Sequence, residues 1–297
     1  MPRASEGLVQ PQIVALLSYY QEPDRFLRDC VKSLAKIGVT KLVALDGAYA
    51  LYPGAKASSP VSNHRAIEKT AAKAGIETHH FVPDEPWSGN EVHKRWTLFD
   101  LAEEITDPTD WWFVVDGDEM VTHAPDDLPR RLADTACGAA TATLWSADEE
   151  QPLRMFFRAE RGLRPRGNHY TYATEDGRVF WGGYLAETEP ALDLPVKVEH
   201  RTFQRPESRR SASLAFYDKR DAKGAETHKC AWCGTGTQVT IPFGWERVNA
   251  GKGATAQRAG VCLEHLRPRL EESVRQAAAL GYDALPHMKS LIQHISA

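Results

Sequence analysis

A chain of 297 residues, 42% hydrophobic and 26% charged with a formal net charge of −4, has room for one large domain, or for one domain and a small appendage. Its mild acidity offers no basic face to a nucleic acid, and no run approaches the roughly 18 uninterrupted apolar residues of a membrane span. The opening MPRASEGLVQPQ lacks an apolar signal core, and the five cysteines, an odd number, do not read as a secreted disulfide framework. Cytoplasm is the expected location.

QIVALLSYY (12–20) reads as a buried strand. The next stretch, PDRFLRDCVKSLAKIG, carries Phe26, Leu27, Cys30, Val31, Leu34 and Ile37 at helical spacing, with Pro23 at its start and Gly38 past its end. KLVALDG (41–47) is a second strand ending in Asp46, SNHRAIEKTAAKAG (62–75) a helix and ETHHFVP (77–83) a third strand. GNEVHKRWTLFDLAEEI (89–105) reads as a helix with Asn90 as N-cap and Val92, Trp96, Phe99 and Ile105 on one face, followed by the strand WWFVVD (111–116). This alternation predicts an α/β fold, a Rossmann-like, mostly parallel sheet flanked by helices. Such sheets bind ligands beyond the carboxyl ends of their strands. There the sequence places Tyr19 to Glu22, then Asp46, then Asp116, Gly117, Asp118 and Glu119.

Between 140 and 205 the strands become short and aromatic: TATLWSA, RMFFRAE, HYTYAT and RVFWGG, with EDGR (175–178) as a hairpin turn. They predict an antiparallel extension of the same sheet. Trp145, Phe156, Tyr170 and Trp181 are candidates to line whatever binds beside the strand-end carboxylates, and Trp87 to close over it.

Three carboxylates at the end of an apolar strand are either a solvated acidic turn or a site for a hard divalent cation, which takes oxygen ligands and keeps positions open for phosphate. Further on, VKVEHRTFQRPESRR offers His200 at a strand end, then Arg201, Arg205, Arg209 and Arg210, whose planar forks suit phosphate oxygens.

SYYQE after the first strand, LDG after the second, HKR early in the third helix and VVDGDE after the fourth form an ordered set. The set resembles glycosyltransferases of the GT-A fold, in particular family-2-like enzymes, over about residues 11 to 125. The resemblance implies a nucleotide-sugar donor, a UDP-sugar, with Asp46 at the nucleobase, Tyr19, Tyr20 and Glu22 lining the nucleotide pocket, and Lys94 or Arg95 on the nucleotide. It implies Asp116 at the ribose or the metal, Asp118 as ligand to Mn²⁺ or Mg²⁺, and His200 completing the metal shell. The arginine cluster adds Arg209 as a phosphate contact. The general base is left open among Glu175 and Asp176 of the TED run, Glu119 and Glu91, with inversion the expected outcome. The acceptor would be a hydroxyl of a glycan, a lipid or a protein. Two rivals are a sugar-nucleotide nucleotidyltransferase, which should show a glycine-rich loop after the first strand, and a non-catalytic binding protein on the same scaffold.

HKCAWCG pairs Cys230 with Cys233, and GVCLEHL pairs Cys262 with His265, with TQVTIPFGWERV between them. Three thiolates and an imidazole on two short spacings suit Zn²⁺ held structurally, with His228 as an alternative ligand, and the arrangement resembles a zinc ribbon. Cys30 and Cys137 read as packing residues. The expected division is a catalytic domain over 1–225, a zinc-ribbon-like module over 226–268 and a helical segment over 269–297.

Overall fold

The computed structural model describes residues 10–50, 52–87, 91–146, 149–165, 172–174, 176–181 and 188–224, with short strand segments at 228–229, 236–237, 240–242 and 258–260. The first half alternates as the sequence predicts: β1 (Ile13–Ser18), α1 (Asp24–Leu34), β2 (Val39–Leu45), α2 (Val61–Ala74), β3 (Glu77–Phe81), α3 (Glu91–Glu103) and β4 (Trp111–Asp116). There follow β5 (Glu119–His123), α4 (Leu128–Asp134), β6 (Ala139–Ser146), β7 (Glu149–Arg158), β8 (Arg164–Pro165), β9 (Tyr172–Ala173), β10 (Val179–Trp181), β11 (Ala191–His200) and α5 (Glu207–Gly224). The chain divides into two compact units, Met1–Leu163 with Glu189–Phe216, and Arg164–Thr188 with Tyr217–Ala297.

In the first unit a mixed sheet runs in the order β3-β2-β1-β4-β7-β6-β11-β5. The first four strands are parallel. β7 is antiparallel to both β4 and β6, and β11 is parallel to β6 but antiparallel to β5. Only Gly117 and Asp118 separate β4 from β5, yet β7, β6 and β11 lie between them in the sheet. The sheet therefore curls until β5 begins where β4 ends. β5 is absent from the sequence reading because EMVTH is too short and mixed to signal a strand.

The expected antiparallel extension is real for β6 and β7. It does not include β9 and β10, which with β8 form a separate antiparallel sheet in the second unit. Short aromatic strands announce pairing but not the edge they join, so the sequence could not separate the two sheets. The hairpin between β9 and β10 is present, with Val179 opposite Ala173. Elsewhere in that unit 228–229 pairs with 236–237, and 240–242 with 258–260. Cys230, Cys233, Cys262, His265 and the segment 269–297 lie outside the described residues, as do Asn90, Tyr170 and Glu175.

Burial explains the elements of the first unit. β1 is buried throughout and β4 at every residue but Asp116, as strands covered on both faces must be. Phe26, Leu27, Cys30, Val31 and Leu34 form a fully buried stripe on α1. Trp111, Trp112 and Phe113 are also fully buried, with Phe99 of α3 edge-on to Trp112 at 5.2 Å. Truncating a ring of this kind to alanine costs about 3–5 kcal/mol. α3 differs from expectation, since its buried face is Lys94, Arg95, Leu98, Phe99 and Ala102, with Trp96 only half-buried. The two cations on that face lead to the site.

Candidate active site

The parallel strands end level. Ser18 is in register with Leu45 on one side and Asp116 on the other. Backbone hydrogen bonds continue the ladder past the strand ends, from Tyr19 N to Leu45 O at 3.2 Å, Asp46 N to Phe81 O at 3.1 Å and Gly117 N to Ser18 O at 3.1 Å. The loops carrying Tyr19, Asp46 and Asp116 are thereby locked side by side. β11 delivers the remaining piece, because its antiparallel pairing with β5 sets His200 opposite Glu119. Arg201 N bonds to Asp118 O at 2.9 Å.

Asp118 is almost fully buried, and its two oxygens differ. Oδ1 meets Arg205 Nη2 at 3.2 Å. Oδ2 lies 3.2 Å from His200 Nε2, an ion-pair contact outside hydrogen-bond geometry, so that this buried oxygen has no hydrogen-bond partner. Burial opposes ionisation of Asp118, but His200 and Arg205 hold its carboxyl below the usual range. Burial likewise works against a charged His200, and the carboxylates of Asp118, Glu119 and Asp116 outweigh it, pushing its pKa up to about 9.

Arg205 also closes on Glu22, donating from Nε to Oε2 at 2.9 Å and from Nη2 to Oε1. Glu22 is buried, and burial and the Asp118 charge raise its pKa while Arg205 works in the other direction. Asp116 is half-buried, the most accessible member of the triplet, and Arg95 Nη2 reaches both of its oxygens, at 2.7 and 2.8 Å. Glu119 is turned inward and accepts the Asp116 N–H at 2.8 Å. Burial, then the Asp116 charge, push its pKa up to about 8.

Asp46 is placed at the sheet edge as expected, but it is fully buried and its oxygens are occupied. Oδ1 accepts from Gly47 N and Ser59 Oγ, both at 2.6 Å, and Oδ2 from Ser59 N at 2.7 Å with His64 Nε2 at 2.8 Å. Ser59 Oγ accepts in turn from Gln21 N at 2.7 Å, and Gln21 has a left-handed φ of 46°. Asp46 thus ties the loop after β2 to the loop after β1. Gly47 sits at φ 107°, where a Cβ would lie 2.6 Å from Trp87 Nε1, and that Nε1 donates to Asp46 O at 2.7 Å. Trp87 closes over Gly47.

Lys94 joins the same two loops, from Nζ to Tyr19 O at 2.6 Å and to Gly47 O at 3.0 Å. Its complete burial lowers its pKa to about 7. Tyr19 and Tyr20 are buried, Tyr19 Oη lying 2.5 Å from His80 Nε2 and Tyr20 Oη accepting from Lys56 N at 3.0 Å.

The arginines divide. Arg209 donates to Tyr20 O at 2.8 Å, bonds the Tyr52 hydroxyl and sits over the Tyr52 ring at 4.7 Å. Arg201 turns away to Asp29 at 2.8 Å and lies over Phe26, and Arg210 pairs with Glu207 on its own helix. Phe156 does not line a site: it is fully buried against Phe113 at 4.6 Å. Alternating aromatics on a curled sheet face inward or outward, and spacing alone did not say which. Trp145 is half-buried on β6. Asp176 belongs to the second unit, where it bonds Thr174 Oγ1 and Arg178. Ser59, His64 and His80, missed in the sequence, complete the edge. Ser59 in SSP, His64 in SNH and His80 in ETHHF carried no motif that would have singled them out.

The cluster is balanced from within. Arg95, Arg205, Arg209 and His200 face the carboxyl groups of Glu22, Asp116, Asp118 and Glu119. Among the described residues no three His, Cys, Asp or Glu side chains converge to hold a metal on their own. A pair does fit part of such a shell. Asp118 Oδ2 and His200 Nε2, 3.2 Å apart, have nearly the separation of neighbouring ligands on an octahedral ion with bonds of about 2.1 Å, which is about 3 Å. Such ions are commonly held by one or two protein side chains, with water and phosphate supplying the rest.

No helix among the described residues is long and apolar enough to cross a membrane. No family model matches the chain, and no curated protein does. Among solved structures, the chain matches a Bacillus anthracis protein described as a glucose-1-phosphate thymidylyltransferase, in complex with a sucrose. It shares 10% identity over 70% of this chain and 83% of that one, with a TM-score of 0.31, a level that carries no information about the chemistry of the site.

Proposed function

We propose that the chain is a glycosyltransferase that moves a sugar from a nucleotide-diphosphate donor, a UDP-sugar, to an acceptor hydroxyl. The observation that supports this most is the pair Asp118 and His200. A buried carboxylate oxygen with no hydrogen-bond partner faces an imidazole at ligand spacing, on the ligand-binding edge of the sheet and among arginines. Mn²⁺ or Mg²⁺ held there would act as a Lewis acid on the diphosphate. Arg95 and Arg209 would meet the remaining phosphate charge, and Asp116, the accessible member of the triplet, would meet the donor sugar or ribose. An acceptor hydroxyl would attack the anomeric carbon as the C–O bond to the nucleoside diphosphate breaks. Inversion is part of the proposal, with Glu119 the candidate base on the described edge.

The nucleotidyltransferase reading is less favoured. That chemistry calls for a glycine-rich loop after the first strand, whose free N–H groups cradle phosphate. Here the loop is SYYQEPD, and its N–H groups at Tyr19 and Gln21 are already bonded to Leu45 O and Ser59 Oγ. The Cys230, Cys233, Cys262 and His265 set is proposed as a structural Zn²⁺ site on the strength of its spacing.

Isothermal titration of UDP, with and without Mn²⁺, tests the main proposal on the wild type and on Asp118→Ala. Metal-dependent binding lost in the variant is the expected result. Absence of UDP binding by the wild type in both conditions would overturn it.

A further inference from the structure

Asp118 could present either oxygen to a cation, and in the structure the two are engaged differently, Oδ1 by Arg205 and Oδ2 by His200. The cause is a second carboxylate. Glu22, on the loop after β1, is buried, with its side chain 2% exposed, and it grips the Arg205 guanidinium through both oxygens. Its backbone is pinned as well, since Glu22 O accepts from Asn63 Nδ2 at 2.9 Å. Arg205 is steadied on its other edge, donating from Nη1 to Thr202 Oγ1 at 3.1 Å. With its plane fixed at both sides, the guanidinium turns Nη2 to Asp118 Oδ1 at 3.2 Å. Oδ2 is thereby left facing His200 without a hydrogen bond.

We propose that Arg205, seated on Glu22, is a positioning residue that selects which oxygen of Asp118 serves as metal ligand. The inference rests on the reading of Asp118 and His200 as a divalent-metal pair, and it adds residues that never touch the ion. Partners that orient a ligand in this way commonly account for 10–100-fold in metal affinity. The geometry demands arginine. Two bonds to Glu22 and one to Asp118 leave from a single rigid plane, whereas a lysine ammonium is a point charge on a flexible stem and cannot orient both carboxylates at once. The pairing also makes the burial of Glu22 tolerable, because an unpaired carboxylate there would be costly.

The test is Mn²⁺ titration followed by electron paramagnetic resonance, in which the signal of free hexaaqua Mn²⁺ reports the unbound ion. Wild type, Arg205→Lys and Glu22→Gln are compared, with Arg201→Lys as a control whose side chain pairs with Asp29 away from Asp118. Circular dichroism establishes which variants fold. Arg205→Lys is expected to weaken Mn²⁺ binding about 10–100-fold and to broaden the spectrum of the bound ion, with Glu22→Gln doing the same. Arg201→Lys should lower thermal stability and leave Mn²⁺ affinity at the wild-type value. If Arg205→Lys does not fold, Glu22→Gln carries the comparison. Binding within twofold of wild type in a folded Arg205→Lys or Glu22→Gln protein would overturn the inference and leave the metal reading standing. A wild type that binds no Mn²⁺ would overturn the metal reading, and the inference with it.

Discussion

Gly117 and Tyr19 approach so closely that a Cβ at position 117 would lie 2.9 Å from Tyr19 Cβ, with Glu22 Cγ and Leu27 Cδ2 each at 3.0 Å. The middle residue of the triplet is therefore glycine for want of space, and its backbone angle is ordinary. Tyr19 Cβ is next to the main chain and cannot swing aside. Gly117→Ala should destabilise the fold by about 1–3 kcal/mol through overpacking. It should also weaken Mn²⁺ binding, since Asp118 follows directly. Thermal melting and Mn²⁺ titration check the two effects, and a variant with wild-type melting would show that the turn has slack.

Lys94 sets a pH dependence. Its folded pKa of about 7 lies below the ordinary 10.5 because burial penalises the ammonium. Between those values the unfolded chain binds the proton and the folded chain does not. Stability therefore rises with pH from about 7 to about 10.5, and the penalty is complete below about 7. Lys94→Met removes this titration while keeping a similar volume. The melting temperature of the wild type should rise relative to that of the variant as pH is raised from 7 toward 10. Parallel curves would mean that Lys94 keeps its proton in the folded state and is less buried than it is here.

The parallel half of the sheet was legible because β1 and β4 are continuous apolar runs, α1 carries a clear apolar stripe, and Gly38 and Gly75 mark the stops after α1 and α2. The carboxylate edge was legible for the same reason, since strand ends in such a sheet must fall together. What was not legible depends on contacts between distant segments. Arg205 stood among five cations and basic residues in a short stretch, and nothing local separated it, which meets Glu22 and Asp118, from Arg201, which leaves for Asp29. Lys94 and Asp46 were legible as polar groups at the edge. Their burial was not, because it comes from a loop closing over them, with Ser59, Trp87 and Gly47 each at a fixed place.

Asp46 offers a direct test of that closure. Its oxygens receive Gly47 N, Ser59 N, Ser59 Oγ and His64 Nε2. Asparagine has the same shape but only one acceptor oxygen, so its amide nitrogen must face donors on one side. A buried donor left without a partner costs about 1–3 kcal/mol. Asp46→Asn should melt earlier by that amount. Hydrogen exchange should rise at the Gln21 amide, which Ser59 otherwise holds. Unchanged exchange at Gln21 would sever the proposed link between the two loops.

The cysteine-bearing segment makes a separable prediction. Four protein ligands leave no open coordination position, so zinc there should be structural and should not take part in donor binding. Purified protein is expected to carry one equivalent of zinc by elemental analysis. Cys230→Ser, Cys233→Ser and Cys262→Ser should each lower that content, while Cys137→Ser, whose thiol stands apart in the sequence, should not. His265→Ala and His228→Ala decide the fourth ligand, because only one of them should release the metal. A zinc-depleted variant that still binds UDP with Mn²⁺ would separate the two metals by function. Zinc content unaffected by any of the three cysteine substitutions would remove the module's metal altogether and leave its short antiparallel pairs to be held by packing alone.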